Sequence, residues 1–168
     1  MNSQRTSRGF TLIEMVVTLA IVGLLASIAA PLTETVIRRG KEQELRTALY
    51  QIRDALDAYK RAADAGRIEK SATSNGYPAN LKVLVDGVRD LKSAKGAKMF
   101  FLRRIPRDPL ASANAGSSFS KGKHEAVDDW GLRSYDSPAQ NPRDGEDVFD
   151  VYSKAKGRGL NGIAYSEW

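Results

Sequence analysis

A long apolar segment near the N-terminus constrains the fold of this chain more than any other feature. Residues 15–32 read MVVTLAIVGLLASIAAPL and contain no charged side chain over 18 positions. Together with the apolar residues 10–13 just upstream, they reach roughly the 20 residues that a helix needs to cross a bilayer. Arg5 and Arg8 precede the segment without any acidic residue, which places the N-terminus in the cytoplasm. The sequence therefore predicts a membrane-spanning helix over 10–32.

One carboxylate, Glu14, interrupts the start of this apolar segment. A charge inside a membrane costs roughly 2.5–3.5 kcal/mol on insertion scales, so such a group is expected to be paired and functional. The segment contains no cation, but cleavage after Gly9 would create a positive amine on Phe10. Two chains displaced along the helix axis can bring the amine of one to the carboxylate of the next. A cleavable secretory signal is the alternative, but the length of the segment and Glu14 count against it.

The hexapeptide Gly9-Phe10-Thr11-Leu12-Ile13-Glu14 resembles the class III signal of type IV pilins and type II secretion pseudopilins. The resemblance implies that a prepilin peptidase cuts the bond between Gly9 and Phe10 and N-methylates Phe10. It also implies that Glu14 recruits each new subunit by neutralising the amine of a neighbour in the filament. Pro31 lies where many family members carry a helix-distorting proline.

The helical pattern continues beyond the apolar segment and ends near Gly66. Apolar side chains recur there at steps of three and four, which gives one stripe along a helix. The stripe consists of Leu45, Leu49, Ile52, Leu56, Tyr59 and Ala63. We therefore divide the chain into a leader peptide at 1–9, a transmembrane or filament-core helix at 10–32, its periplasmic continuation at 33–65, and a globular head at 66–168.

Within the head, the pattern predicts short elements separated by turns. Asn80 is a candidate cap for a short helix that ends near Gly87. A short strand is predicted over 98–102. Two more are predicted over 130–135 and 147–153, and a third strand beside these two is expected around 163–168. Residues 110–129 are rich in Ala, Ser, Gly and Lys and read as an exposed insertion. An α+β fold is expected, in which a small antiparallel sheet packs on the stripe of the long helix.

Four segments of the head are similar, in order, to landmarks of the major pseudopilins of type II secretion. They are Tyr77-Pro78, Ile105-Pro106-Arg107-Asp108-Pro109, Trp130-Gly131 and Phe149-Asp150-Val151-Tyr152-Ser153. The resemblance implies the type IV pilin-like fold. About twenty residues separate the second landmark from the third, which commonly lie close together in that family.

The loop after Ser153 bears on cofactors. Major pseudopilins of the resembling type hold a calcium ion there with aspartates and carbonyls, but residues 154–162 read KAKGRGLNG in this chain. A hard cation needs several oxygen ligands and net negative charge, whereas this loop has three basic residues and no carboxylate. We expect no calcium in the loop, no metal site elsewhere and no other cofactor. The chain also lacks cysteine, which excludes a disulfide framework and favours a pseudopilin over many pilins.

Composition gives little support to catalysis or nucleic-acid binding. The catalytic motifs of hydrolases, metalloproteases and phosphate-binding loops are absent, and the chain has one histidine. Scattered acids are expected to serve turns and surfaces; they are Asp108, Asp128, Asp129, Asp144 and Asp147. Without the leader, 24 basic and 20 acidic residues leave a net charge of +4, spread along the chain. We therefore expect neither an enzyme nor a nucleic-acid partner.

The resemblance thus implies a pseudopilin subunit that is processed and polymerises into the periplasmic pseudopilus of type II secretion. Its expected partners are copies of itself, prepilin peptidase, minor pseudopilins, the inner-membrane assembly platform and the membrane. The expected location is the inner membrane, crossed once, with a cytoplasmic N-terminus and a periplasmic head. One alternative is a type IV pilin for adhesion, motility or DNA uptake, and a distant one is a membrane-tethered periplasmic enzyme or binding protein.

Overall fold

The computed structural model describes residues 9–70, 75–111 and 125–168, and only the backbone of 28–32. Two helices and four short strands occur in the described ranges, in the following order: α1 (Leu12–Asp64), α2 (Lys82–Asp86), β1 (Val88–Arg89), β2 (Lys98–Met99), β3 (Trp130–Arg133) and β4 (Asp150–Ser153). Two 3-10 helices, Ala126–Asp129 and Tyr165–Glu167, complete them. The chain divides into two compact units, Met1–Gly40 and Lys41–Trp168.

The long helix α1 has 53 residues and ends where the glycine signal predicts. Gly66 adopts a positive φ of 67°, which glycine reaches without steric cost. The amide of Arg67 donates to the carbonyl of Ala62 at 3.0 Å, so a carbonyl of the last turn is satisfied. The helix predicted over 10–65 is therefore observed, shortened slightly at each end.

The membrane-spanning helix predicted over 10–32 is not identified in the described residues. None of the helices in the described residues is both long and apolar enough to cross a membrane. The backbone of α1 is helical through Pro31, but the side chains of 28–32 lie outside the described residues. The helix distortion expected at Pro31 therefore stays a prediction.

The core of the head forms where the predicted stripe of α1 meets the rest of this unit. Leu45, Ile52 and Leu56 are buried completely or nearly so, and Tyr59 is partly buried at the edge. Their partners are apolar residues in or next to α2, β3 and β4, and five of these are fully buried: Leu81, Leu84, Trp130, Val148 and Val151. Each buried side chain of this size contributes about 1.5–3 kcal/mol to folding. The stripe predicted from spacing is confirmed.

The antiparallel strands form two small sheets, whereas one sheet was expected. Val88 of β1 pairs with Met99 of β2, and Trp130 of β3 pairs with Ser153 of β4. The strand predicted over 98–102 stops at Met99, because the next amides bond elsewhere. Those of Phe101 and Leu102 both donate to the carbonyl of Leu84, each at 3.0 Å.

The third strand expected around 163–168 is wrong. Tyr165–Glu167 form a 3-10 helix, and only an isolated bridge joins Arg158 to Ala164. Gly157 and Gly162 have φ values of 120° and 80°, which turn the chain back on itself. This local closure leaves too little extended backbone for a strand.

The short helix in the head forms as its sequence predicts. Although α2 begins at Lys82, the side-chain oxygen of Asn80 accepts a hydrogen bond from the amide of Val83 at 3.2 Å. Gly87 follows the helix with a φ of 74°. Asn80 therefore satisfies one of the amides that a helix start leaves without a partner.

The expectation of an exposed insertion over 110–129 is corrected at both ends. Leu110 is 7% exposed, and Asp129 is 5% exposed at the end of a 3-10 helix. That helix is closed by reciprocal side-chain to backbone contacts between Glu125 and Asp128. Residues 112–124 lie outside the described part of the chain, so the expectation is untested there.

Three of the acids expected at turns or on the surface are buried: Asp108, Asp129 and Asp147. The carboxylate of Asp147 accepts from the amide of Tyr135 and from the side chain of Asn75, each at 3.0 Å. Buried carboxylates are tolerated when they are bonded in this way. These side chains hold loops together inside the fold.

Candidate functional site

The predicted cleavage position lies at the very start of the described residues. Gly9 and Phe10 precede α1, so neither takes part in helical hydrogen bonding, and the Phe10 side chain is 78% exposed. An exposed peptide bond outside regular structure is one that a peptidase can engage. The remainder of the predicted leader, 1–8, lies outside the described residues.

Glu14 takes part in a reciprocal cap at the start of α1. Its amide donates to the hydroxyl of Thr11 at 3.3 Å, and its carboxylate accepts from the amide of Thr11 at 3.5 Å. This is a capping box, in which two residues three apart satisfy each other's amides. The sequence reasoning missed it, although Thr11 and Glu14 fit the Thr-x-x-Glu signal. The carboxylate remains exposed, and its contact to Thr11 is long.

The first part of α1 exposes apolar side chains on every side. Their exposed fractions range from 48% at Val17 to 82% at Leu12. The set comprises Phe10, Leu12, Ile13, Met15, Val16, Val17, Leu19, Ile21, Val22, Leu24 and Leu25. We call residues 10–27 the apolar segment of α1. A helix that is apolar all round belongs in a membrane or in the core of a larger assembly.

The polar side chains of this apolar segment are satisfied within the helix. The Thr18 hydroxyl donates to the carbonyl of Met15, and the Ser27 hydroxyl donates to that of Gly23, each at 2.9 Å. Neither hydroxyl needs water or a partner chain. Glu14 is thus the charged side chain of the segment, and in an apolar environment its charge needs a partner from outside the segment.

Three of the four head landmarks meet around one buried contact. Asp108 is 2% exposed and accepts from the Ser153 hydroxyl and, at 2.8 Å, from the amide of Leu110. The indole nitrogen of Trp130 donates to the carbonyl of Pro106 at 2.9 Å. Asp108 and Trp130 therefore attach the loop around Pro106 to the β3–β4 sheet.

The partner of Gly131 in the sheet explains why glycine occupies this position. Gly131 pairs with Tyr152, whose ring lies directly over the glycine, so that a Cβ atom at this position would overlap the ring. Glycine is required where a ring approaches the backbone this closely. The Trp-Gly landmark and the landmark of β4 are thus two halves of one packing arrangement.

The fourth landmark, Tyr77-Pro78, packs beside the same sheet. The carbonyl of Pro78 accepts from the amide of Val148 at 2.8 Å. The ring of Tyr77 meets that of Phe149 edge to face at 5.1 Å and stacks on Tyr135 at 6.1 Å. Such aromatic pairs contribute about 0.5–1.5 kcal/mol beyond the area that they bury.

A charged network links α1 to the β3–β4 sheet. Asp150 lies between Arg53 of α1, at 2.7 Å, and Arg133 of β3, at 3.0 Å. Arg53 also donates to the carbonyl of Val151 at 3.1 Å. Because these groups are partly buried and bonded to charged partners, they fix the position of β4 on the helix more firmly than exposed pairs do.

No group of three or more histidine, cysteine, aspartate or glutamate side chains suited to a metal ion occurs among the described residues. Asp108, Asp147 and Asp150 are each engaged by amides, a hydroxyl or guanidinium groups. This arrangement serves packing between loops and strands.

Comparison with known proteins agrees with this picture. Residues 4–30 match the family described as the prokaryotic N-terminal methylation motif. The type II secretion system core protein G of Klebsiella pneumoniae is 29% identical over 142 residues, which cover 80% of this chain and 89% of that protein. The chain is similar to this protein over most of its length. The protein of that name from Dickeya chrysanthemi is 27% identical over 169 residues, which cover 95% of this chain and 97% of that protein.

The core protein G of Escherichia coli strain K12 is 24% identical over 151 residues, which cover 79% of this chain and 97% of that protein. No solved structure matches this chain. The family match contains Gly9, Phe10 and Glu14, and the longer alignments extend through the head. The long helix on a small antiparallel head is the type IV pilin-like α+β arrangement that the resemblance implies.

Proposed function

We propose that this chain is a pseudopilin, a subunit that polymerises into the periplasmic pseudopilus of a type II secretion system. The observation that carries the proposal is the exposed apolar segment of α1, which begins directly after the proposed cleavage point. A folded protein that acted alone in water would leave this large surface uncovered at considerable cost. Similarity to core protein G along most of the chain supports the same function.

Processing comes first in this proposal. Prepilin peptidase cuts between Gly9 and Phe10 and methylates the new amine of Phe10. The exposure of both residues, and their position before the first turn of α1, support this assignment. Processing removes the charged leader and leaves the apolar segment at the new N-terminus.

Before assembly, we place residues 10–32 in the inner membrane, with the leader in the cytoplasm and the head in the periplasm. Support comes from the uncharged run over 15–32 and from Arg5 and Arg8 on its N-terminal side. The internal hydrogen bonds of Thr18 and Ser27 also suit an apolar environment.

During assembly, the apolar segments of successive subunits cover one another, and Glu14 meets the amine of Phe10 of a neighbour. An ion pair in an apolar surrounding is strong when both partners are present, and a lone carboxylate there is costly. The charge of Glu14 therefore favours the displacement along the helix axis that brings its carboxylate to the Phe10 amine of a neighbouring subunit. The assembly platform, minor pseudopilins and prepilin peptidase are the further partners of this process.

The role is mechanical and not enzymatic. The buried acids Asp108 and Asp147 accept hydrogen bonds that join loops to strands, and we assign them this structural role. The growing filament, not a catalytic centre, is what acts on exported proteins in this proposal.

Substitution of the residue before the cleaved bond tests the first step. Gly9→Leu places a branched side chain at a position that has none, so we expect the precursor to accumulate uncut. The mass of the chain extracted from membranes measures this, and the unaltered chain should carry N-methylated Phe10 at its terminus. Gly23→Leu, in the interior of the apolar segment, is the matched control and should be cut normally. Normal mature protein from Gly9→Leu would contradict the proposed processing.

A further inference from the structure

The loop at residues 154–162 occupies the place where the resembling family holds calcium, but three of its oxygens already accept hydrogen bonds. The carbonyl of Gly159 accepts from the amide of Gly162 at 2.9 Å, and the Asn161 side chain accepts from Ile163 at 3.1 Å. The carbonyl of Gly162 accepts from the guanidinium of Arg158 at 3.0 Å. A cation would have to displace N–H groups, one of them positively charged, and would find no carboxylate within the loop.

A carboxylate from outside the loop lies against it instead. Glu42 of α1 is 7% exposed, and one of its oxygens accepts from the amide of Leu160 at 2.9 Å. The same oxygen accepts from the hydroxyl of Tyr165, also at 2.9 Å. A single buried carboxylate thus holds both the middle of the loop and the 3-10 helix that follows it. Hydrogen bonds to a charged acceptor are the stronger kind.

Aromatic and small residues pack closely beside the contact that Glu42 makes. Gly159 lies so close to the ring of Trp168 that a side chain would overlap it. That ring meets Tyr165 edge to face at 5.3 Å, and the guanidinium of Arg46 lies 4.5 Å from its centre. Since Glu42 and Arg46 are one turn apart on α1, the helix presents two adjacent groups to this part of the chain.

We propose that Glu42 takes the place of a bound cation in this chain, so that the loop at 154–162 closes onto α1 without calcium. The anchor is an internal anion bonded to N–H and O–H groups, where a metal site uses a cation bonded to oxygens. The proposal does not depend on the secretion role, and either can fail without the other.

Calcium dependence of the full chain in detergent tests the first half of this proposal. We expect the melting temperature to be the same in excess calcium chloride and in excess EGTA. Trypsin should also cut after Lys154, Lys156 and Arg158 at the same slow rate in both, as followed by mass spectrometry of the fragments. A higher melting temperature or slower cutting in calcium would overturn the proposal.

Variants of Glu42 test the second half. In Glu42→Ala the loop loses its anchor, so we expect about tenfold faster cutting at the three basic residues, with or without calcium. Glu44→Ala, on the exposed side of the same helix turn, is the matched control and should cut like the unaltered chain. If Glu42→Ala does not fold, the rate of trypsin cutting is measured in Glu42→Gln. This variant keeps the shape of the side chain and one acceptor oxygen but loses the charge. Loop cutting that is unchanged in the folded variant would contradict the role of Glu42.

Discussion

At the scale of single residues, Gly131 shows how tightly the β3–β4 sheet is packed. The ring of Tyr152 covers it, so Gly131→Ala forces the ring or the strand to move. We expect a loss of about 1–3 kcal/mol in the free energy of unfolding, which is typical of overpacking. Chemical denaturation of the chain in detergent measures it.

Gly40→Ala is the matched control for this substitution. Gly40 lies inside α1, with open space where a Cβ atom would be placed. Alanine is the better helix former by about 0.8–1 kcal/mol, so this variant should be as stable as the unaltered chain or more so. Equal destabilisation by both substitutions would show that the Tyr152 ring is not the cause.

Glu14 has two roles that substitution can separate. Glu14→Gln keeps an oxygen that can accept from the amide of Thr11, but it removes the charge that we propose pairs with Phe10. Thr11→Val keeps the charge and removes the hydroxyl that accepts from the amide of Glu14. If charge governs assembly, Glu14→Gln should be processed normally yet form at least about tenfold fewer filaments, as counted by electron microscopy.

Thr11→Val should still assemble, because losing one exposed capping bond costs only about 1 kcal/mol. If Thr11→Val formed few filaments and Glu14→Gln formed the normal number, Glu14 would serve helix capping and not subunit recruitment.

Residue types alone did not reveal which acids are buried. Asp108, Asp129 and Asp147 have the local context of turns, and turn chemistry predicts exposure. Their burial depends on partners far along the chain, such as Ser153 for Asp108 and Asn75 for Asp147. A spacing rule cannot find such pairs. The capping box at Thr11 and Glu14 is different, because its signal is local and was available in the sequence.

At the scale of elements, α1 was the most predictable part of the chain. Its stripe from Leu45 to Ala63 repeats at helical spacing, and Gly66 ends it, so period and stop signal agree. The strands were less predictable, because their lengths depend on which backbone groups they meet. The carbonyl of Leu84 takes the amides that would have extended β2, and no local pattern announces this.

An ion pair joins the end of α1 to the β1–β2 hairpin and gives the head a dependence on pH. Arg67 donates to Asp90 at 2.5 Å, and the amide of Leu91 donates to the carbonyl of Arg67 at 2.8 Å. The hydrogen bond from Arg67 holds the pKa of Asp90 below its usual range. Because the pKa is lowered on folding, the ionised pair stabilises the head above the unfolded-state pKa of about 3.9.

This stabilisation is lost as the pH falls from about 4 through the lower pKa of folded Asp90. Asp90→Asn should therefore reduce the melting temperature near neutral pH and flatten its decline below about pH 4. Asp86→Asn, at an exposed acid close by, is the control and should keep the normal decline. Thermal melts of the chain in detergent between pH 2 and 7 measure both. If the melting temperature of Asp90→Asn fell below pH 4 as steeply as that of the unaltered chain, the pair of Arg67 and Asp90 would not be the cause of the fall.

At the scale of the whole molecule, the two compact units serve different purposes in the proposed function. The first exposes an apolar helix, which we propose is covered by the membrane or by further copies, and the second buries apolar residues of its own part of α1. The sequence predicted two different halves of the long helix, because an unbroken apolar run and a one-sided stripe are distinct patterns, but it placed the boundary at 32/33 and not at 40/41. The anchoring of the C-terminal loop by Glu42 could not be predicted, since 118 positions separate Glu42 from Leu160.

The role in secretion is tested most directly by the proteins that cells release. The measurement is the culture-supernatant proteome of a clean deletion strain beside its complemented parent, with sheared surface filaments counted in the same samples. The proposed function predicts that a set of exported proteins disappears from the supernatant while surface pili persist, and that complementation restores them. Loss of surface pili with secretion intact would contradict it and identify the chain as a pilin subunit.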